Sequence, residues 1–269
     1  MQQAKDPSEA SMGTTPRGKI RRSRRFSVAL WLGGVLLTSL MLLAPSIAAA
    51  PLPAARPTLR APFSGTPLTL RDTIAEDCGT ATLSHGPRMS LSSGVGRAEA
   101  TTSANTSSTC SWPLIPNEGA AVGWFGLSTP NFTASSGSHK IKVAWDLQWT
   151  VDLKASGAGA NPGSIQTATV IEVEVEVVDV TKGNGVAVQE WEHEINRTGD
   201  ASVHSVESRN LTLDVTWSFN ATHVYTILTV VQFTAVSEVS QGTSSGQASA
   251  SINLATGGNK ATLVSISEP

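Results

Sequence analysis

Three glutamates at alternate positions, Glu172, Glu174 and Glu176, are followed by a second alternating set, Glu190, Glu192 and Glu194. Side chains two apart on an extended chain project from the same face. Each triplet therefore forms a row of carboxylates on one strand, and hard carboxylate oxygens are what Ca²⁺ selects. The positions between them are Ile171, Val173, Val175 and Val177 in the first run and Trp191, His193 and Ile195 in the second. The sequence KGNG at 182–185 supplies a turn, so the two runs are predicted to pair as a hairpin with both triplets on its outer face. Val178 and Val180 shift the phase around Asp179, which predicts a bulge at Val177 and Val178.

A register pairing Val180 with Val186 sets Glu176 opposite Glu190, Glu174 opposite Glu192 and Glu172 opposite Glu194. Like charges placed opposite one another destabilise a sheet by up to ~1 kcal/mol per pair. A bound cation would offset that repulsion. The plain competitor is a solvated face near a sheet edge, where charge opposes aggregation, with Lys142 and Lys154 as expected neighbours. No D-x-D-x-D-G loop is present to supply a standard calcium cage.

The segment E-V-E-V-E, Glu172 to Glu176, also resembles the E-x-D-x-E strand of the jelly-roll glycosidases that act on laminarin-type and related β-glucans, with Glu174 standing where that family has Asp. The resemblance covers five residues. It implies Glu172 as nucleophile, Glu176 as acid/base and Glu174 as their assistant in retaining hydrolysis. Tyr225 is the single tyrosine, so aromatic platforms for sugar are scarce.

The strands that must position these groups are legible from period-two patterning. In residues 141–153, Ile141, Val143, Trp145, Leu147, Trp149, Val151 and Leu153 alternate with Lys142, Ala144, Asp146, Gln148, Thr150 and Asp152. That is a strand with one buried and one wet face. Residues 211–219 repeat the pattern, with Leu211, Leu213, Val215, Trp217 and Phe219 on one side. In 224–236 apolar residues fall on both faces, which predicts a central strand. Further β-rich runs are read at 80–84, 88–92, 121–127, 164–180, 186–195, 248–255 and 261–267. Turns are read at 182–185, 196–200, 208–210, 220–223 and 256–260. The expected fold is all-β: a single antiparallel β-sandwich of Ig-like or jelly-roll type.

Residues 1–50 read as a signal peptide or N-terminal membrane anchor. Lys19, Arg21, Arg22, Arg24 and Arg25 precede an apolar run at 26–44 and a small-residue stretch at 46–50, with cleavage expected between Ala48 and Ala49. Residues 51–67 form a Pro/Ala-rich linker and 68–269 the sandwich domain. From residue 51 onward there are 12 Lys and Arg against 19 Asp and Glu, a net charge of −7. An acidic body of this kind argues against nucleic acid as partner and limits membrane contact to an uncleaved N-terminal segment.

Cys78 and Cys110 are expected to form a disulfide in an oxidising compartment. Sequons at Asn105, Asn131, Asn196, Asn210 and Asn220 fall in or beside predicted turns and are candidate glycosylation sites. The five histidines show no H-x-H or H-E-x-x-H spacing, and no G-x-S-x-G, P-loop or dinucleotide fingerprint occurs. His193 is expected to be a hydrogen-bonded core or rim residue, Trp145, Trp149 and Trp217 to be core, and Trp112 and Trp124 to be candidates for sugar stacking.

The functional expectation is an exported, secreted or cell-surface module with a non-catalytic structural, adhesion or binding role toward a glycan or surface protein. The alternatives are a carbohydrate-active hydrolase using Glu172, Glu174 and Glu176, and a Ca²⁺-stabilised surface module using the six glutamates. No other cofactor is indicated.

Overall fold

A computed structural model describes residues 58–76, 78–105, 117–158, 165–239 and 245–267; the expected leader at 1–50 lies outside them. Eleven strands are described: β1 (Thr66–Glu76), β2 (Gly79–Ser90), β3 (Val95–Asn105), β4 (Asn117–Ser128), β5 (Gly137–Ala158), β6 (Ile165–Asp179), β7 (Asn184–Thr198), β8 (Ala201–Phe219), β9 (Tyr225–Val239), β10 (Ser245–Asn253) and β11 (Lys260–Ser267). They form two antiparallel sheets packed face to face, an all-β sandwich. One sheet has the order β1-β4-β9-β6-β7, and the other β10-β3-β11-β5-β8 with β2 paired to β3.

Strand β5 organises the second sheet. Its seven odd-numbered apolar residues from Ile141 to Leu153 are at most 2% exposed, as strict alternation requires. Facing them from the first sheet are Ile171, Val173, Val175 and Val177 of β6 and Tyr225, Ile227, Val231 and Phe233 of β9, all in one core. β9 lies between β4 and β6, the central place expected from the apolar residues on both its faces. Two polar contacts cross the core. The Trp145 indole N–H donates to Thr229 Oγ1 at 2.9 Å, and the Thr102 and Ser237 hydroxyls lie 2.8 Å apart.

Strands β10 and β11 lie end to end in the slot between β3 and β5. β10 pairs with residues 99–105 of β3 and 150–158 of β5, and β11 with 95–96 and 142–148. Ahead of β1, the Leu59 N–H donates to Ile266 O at 2.7 Å and Phe63 is buried at 6% exposure, so the last residues of the expected linker are engaged with the fold.

Three expectations need correction. The turn expected at 208–210 is absent, and β8 runs unbroken through it, because every residue from Ala201 to Phe219 pairs in register with β5. The separate strands expected at 80–84 and 88–92 are one strand, β2, with register irregularities on either side of His85. The disulfide is the third. Cys110 lies outside the described residues, so the expected Cys78–Cys110 pair is not part of the structure described. Among the described residues this region is tied by Asn117: its Oδ1 accepts from the Cys78 N–H at 3.4 Å, and its Nδ2 donates to Asn105 O at 2.7 Å. One buried amide thus ties the starts of β2 and β4 to the end of β3.

Candidate metal centre on the acidic hairpin

The β6–β7 hairpin is present, with its bulge between Val177 and Val178 as the phase shift indicated. Its turn comes two residues earlier than expected. Asp179 pairs with Asn184, leaving 180–183 as the loop, and Gly183 takes φ +69°. The Asp179 side chain selects that turn. Its Oδ1 accepts from the Lys182 N–H at 3.1 Å, and the Asp179 main-chain carbonyl accepts from the Gly183 N–H at 2.8 Å. An aspartate that bonds backbone a few residues ahead nucleates a turn in this way.

The earlier turn moves every cross-strand pair. Glu172 faces Glu192, Glu174 faces Glu190, and Glu176 faces Val188; Glu194 lies opposite Val170. The expected pairs Glu176–Glu190, Glu174–Glu192 and Glu172–Glu194 are therefore not formed, although the crowding of like charges is. One carboxylate oxygen each from Glu172, Glu174 and Glu190 lie within 4.8 Å of one another, close enough to ligate a single cation. Glu176, Glu192 and Glu194 stand outside this group. Glu194 instead accepts from Asn196 Nδ2 at 2.9 Å.

The electrostatics follow the burial. β7 is the edge strand, and Glu190, Glu192 and Glu194 are exposed on it; β6 is flanked on both sides, and its three glutamates are partly or fully covered. Burial pushes the Glu172 carboxyl up to about 7, with Glu190, Glu174 and Glu192 adding to the rise. Glu174 is also raised to about 7, by burial first and then by Glu176 and Glu190. Burial alone raises Glu176 to about 7, and at 8% exposure it is the most covered of the three. Its carboxylate leans over Gly185, where a Cβ would lie 1.8 Å from Oε1. Any side chain at 185 would push the acid off this seat.

Lys142 and Lys154, expected beside the glutamates, are on β5 in the other sheet, opposite Asp214 and Ser202 of β8. Among the described residues Lys140 pairs with Asp214, His85, His204 and His223 lie within hydrogen-bond reach of Glu99, Asp152 and Asp179, and none of these contacts includes a hairpin glutamate. No described protein cation therefore neutralises the cluster.

Trp145 and Trp149 are core, and Trp217 is partly buried against it. Trp124 lies within β4 at 1% exposure, which removes it as a sugar-stacking surface, and Trp112 lies outside the described residues. His193 stacks on Trp191 at 6.1 Å and meets the Trp149 edge at 5.7 Å, but its buried Nε2 has no hydrogen-bond partner. Tyr225 is in the core, its hydroxyl accepting from the Asn220 N–H at 2.9 Å. Asn196 and Asn210 are exposed within strands β7 and β8 rather than in turns. Asn105 ends β3, Asn131 follows β4, and Asn220 sits in the β8–β9 turn. Two shallow hollows, lined by Arg88, Met89 and Arg97 in one case and by Asp146, Gln148 and Asn210 in the other, are remote from the glutamates in the strand order.

His223, unmarked by any motif, holds the hairpin from below. Its Nδ1 lies 2.7 Å from Asp179 Oδ2, joining the β8–β9 turn to the β6–β7 turn. The only sequence signal was Asp179 itself, at the phase shift.

The class defined by these features is a two-sheet antiparallel sandwich with a carboxylate cluster on an edge hairpin. No family model and no curated protein matches the chain. Among solved structures it is similar to a chain of the T13 IBDV viral particle, at 12% identity and TM-score 0.14 over 83% of this chain and 43% of that one. A chain from the infectious bursal disease virus Gx strain gives 10% identity and TM-score 0.12 over 83% and 44%. The chain spans less than half the length of these chains, and likeness at this level carries no argument.

Proposed function

We propose that this chain is an exported, non-catalytic binding module whose β6–β7 hairpin is completed by Ca²⁺, held by Glu172, Glu174 and Glu190. The observation that carries the reading is the convergence of those three carboxylates within 4.8 Å with no described protein cation beside them. Oxygen ligands from side chains and water suit Ca²⁺, which accepts irregular geometry; Mg²⁺ demands a near-ideal octahedron. A divalent ion also replaces the protons that the raised carboxyls otherwise retain near pH 7. The test is thermal unfolding of the full chain at pH 7.5 in EDTA and then in millimolar Ca²⁺ or Mg²⁺. The expected result is a rise of several degrees with Ca²⁺, lost in Glu174→Gln. Identical melting in all three buffers would remove the proposal.

One observation favours a second reading, retaining hydrolysis of a β-glucan. Glu176 is raised to about 7, the range in which a carboxylic acid can act as general acid near neutral pH. On that reading Glu176→Gln abolishes glucan hydrolysis by the full chain; absence of hydrolysis in the unaltered protein rules it out.

A further inference from the structure

Among the described residues the outer edge of β8 is the longest unpaired edge in the second sheet. β8 ends the strand order, pairing β5 on one side with no strand on the other among the described residues. It pairs over nineteen successive residues without a register shift. It contains no proline and one Lys or Arg, Arg209. Val206, in the middle of it, is 72% exposed. Edges that stay solitary are usually interrupted by bulges, prolines or lysines, because an unbroken row of N–H and C=O groups templates another strand. This edge lacks all three.

We infer that β8 pairs antiparallel with β8 of a second copy of this chain, about a two-fold axis at Ser208. The sequence of the strand is self-complementary about that residue. Position i then faces 416 − i in the partner, a relation that follows from the axis alone. Glu207 lies opposite the second copy's Arg209, and Arg209 opposite its Glu207, so the strand's one acid–base neighbour pair is satisfied twice. Val203 faces Leu213, Ser205 faces Leu211, and the exposed Val206 is set beside Asn210. Asp214 meets Ser202, and no like charges fall opposite one another. Shifting the axis by one residue to Glu207 or Arg209 would oppose a charge with itself, which costs stability directly. The axis stands perpendicular to the sheet, as antiparallel side-by-side pairing requires, so inward residues meet inward residues. Pairing from Ala201 to Val215 supplies about 14 new backbone hydrogen bonds.

The isologous contact has a sharp test, because residue 208 alone meets its own copy. Opposed Cα atoms in an antiparallel pair are about 4.5–5.5 Å apart, inside the range a disulfide spans. The full chain, purified in detergent because of its apolar segment at 26–44 and made in a host without N-glycosylation, is oxidised mildly and read on non-reducing gels against the unaltered protein. Ser208→Cys is expected to give at least about tenfold more covalent dimer than Thr216→Cys, which lies on the same exposed face but off the axis. Adding Arg209→Glu should cut the dimer about tenfold, and adding Glu207→Arg to that should restore it. Equal cross-linking at 208 and 216, or none at 208 in protein that melts like the unaltered chain, overturns the inference. Should the cysteine variants fail to fold, light scattering of the unaltered chain and of Arg209→Glu decides it: the same mass for both overturns the inference, and a lower mass for the variant supports it.

Discussion

Glu172, Glu174 and Glu176 each hold a proton to higher pH in the fold than in the unfolded chain, so the folded state binds more protons between about 4.5 and 7. Stability without a cation is therefore greatest below that window and falls as pH rises through it. Melting of the chain in EDTA should drop by several degrees between pH 5 and pH 8, and Glu174→Gln should flatten the drop. Added Ca²⁺ should do the same at pH 8 and little at pH 5. Gly185→Ala pushes the Glu176 carboxylate off its seat and should bring its titration down toward the ordinary carboxylate range, at a stability cost of about 1 kcal/mol. Carbon-detected NMR of the side-chain carboxyls would show it. Asp179→Ala removes acceptors for the Lys182 N–H and for His223 at a nearly inaccessible site, and a loss of about 3 kcal/mol in urea unfolding is expected.

At the scale of strands, much of the fold was legible because the chain alternates so strictly. Residues 141–153 and 211–219 announce their inner faces, and the doubled apolar character of 224–236 placed β9 centrally. β1 and β3 were not legible. β3 reads VGRAEATTSAN, and its inward residues are small alanines and a threonine that are buried by close approach of neighbours rather than by their own apolar area. The break expected at Ser208-Arg209-Asn210 failed because turn-forming residues are also tolerated on the exposed face of an edge strand, where pairing to β5 outweighs their local preference. The acidic cluster was legible as composition and as a hairpin with its bulge. Its partners were not, since they depend on where the turn closes, and Asp179 closes it through contacts with His223 that lie 44 residues away. Between the sheets, Thr229→Val leaves the Trp145 indole N–H unpartnered in the core at nearly unchanged volume, and should cost about 1–3 kcal/mol in equilibrium unfolding.

For the whole molecule, the placement of β10 and β11 between β3 and β5 bears on the order in which the chain can fold. Synthesis delivers β3 and β5 long before the two strands that must lie between them, so until residues 245–267 are available the second sheet is two separate ribbons with an open slot. The first sheet is complete at Val239, yet the apolar residues of β5 that it covers are held in place by a strand whose other side is still unpaired. A chain ending before Lys260 should remain without cooperative unfolding, whereas one ending after Ser267 should show it; a thermal scan of the two decides. The contacts that close this fold join residues more than a hundred positions apart, and pairings of that separation form slowly. Until residues 260–267 have left the ribosome, β3 and β5 stay unlocked from one another, and the chain made before them keeps the pliability of an unfinished sheet.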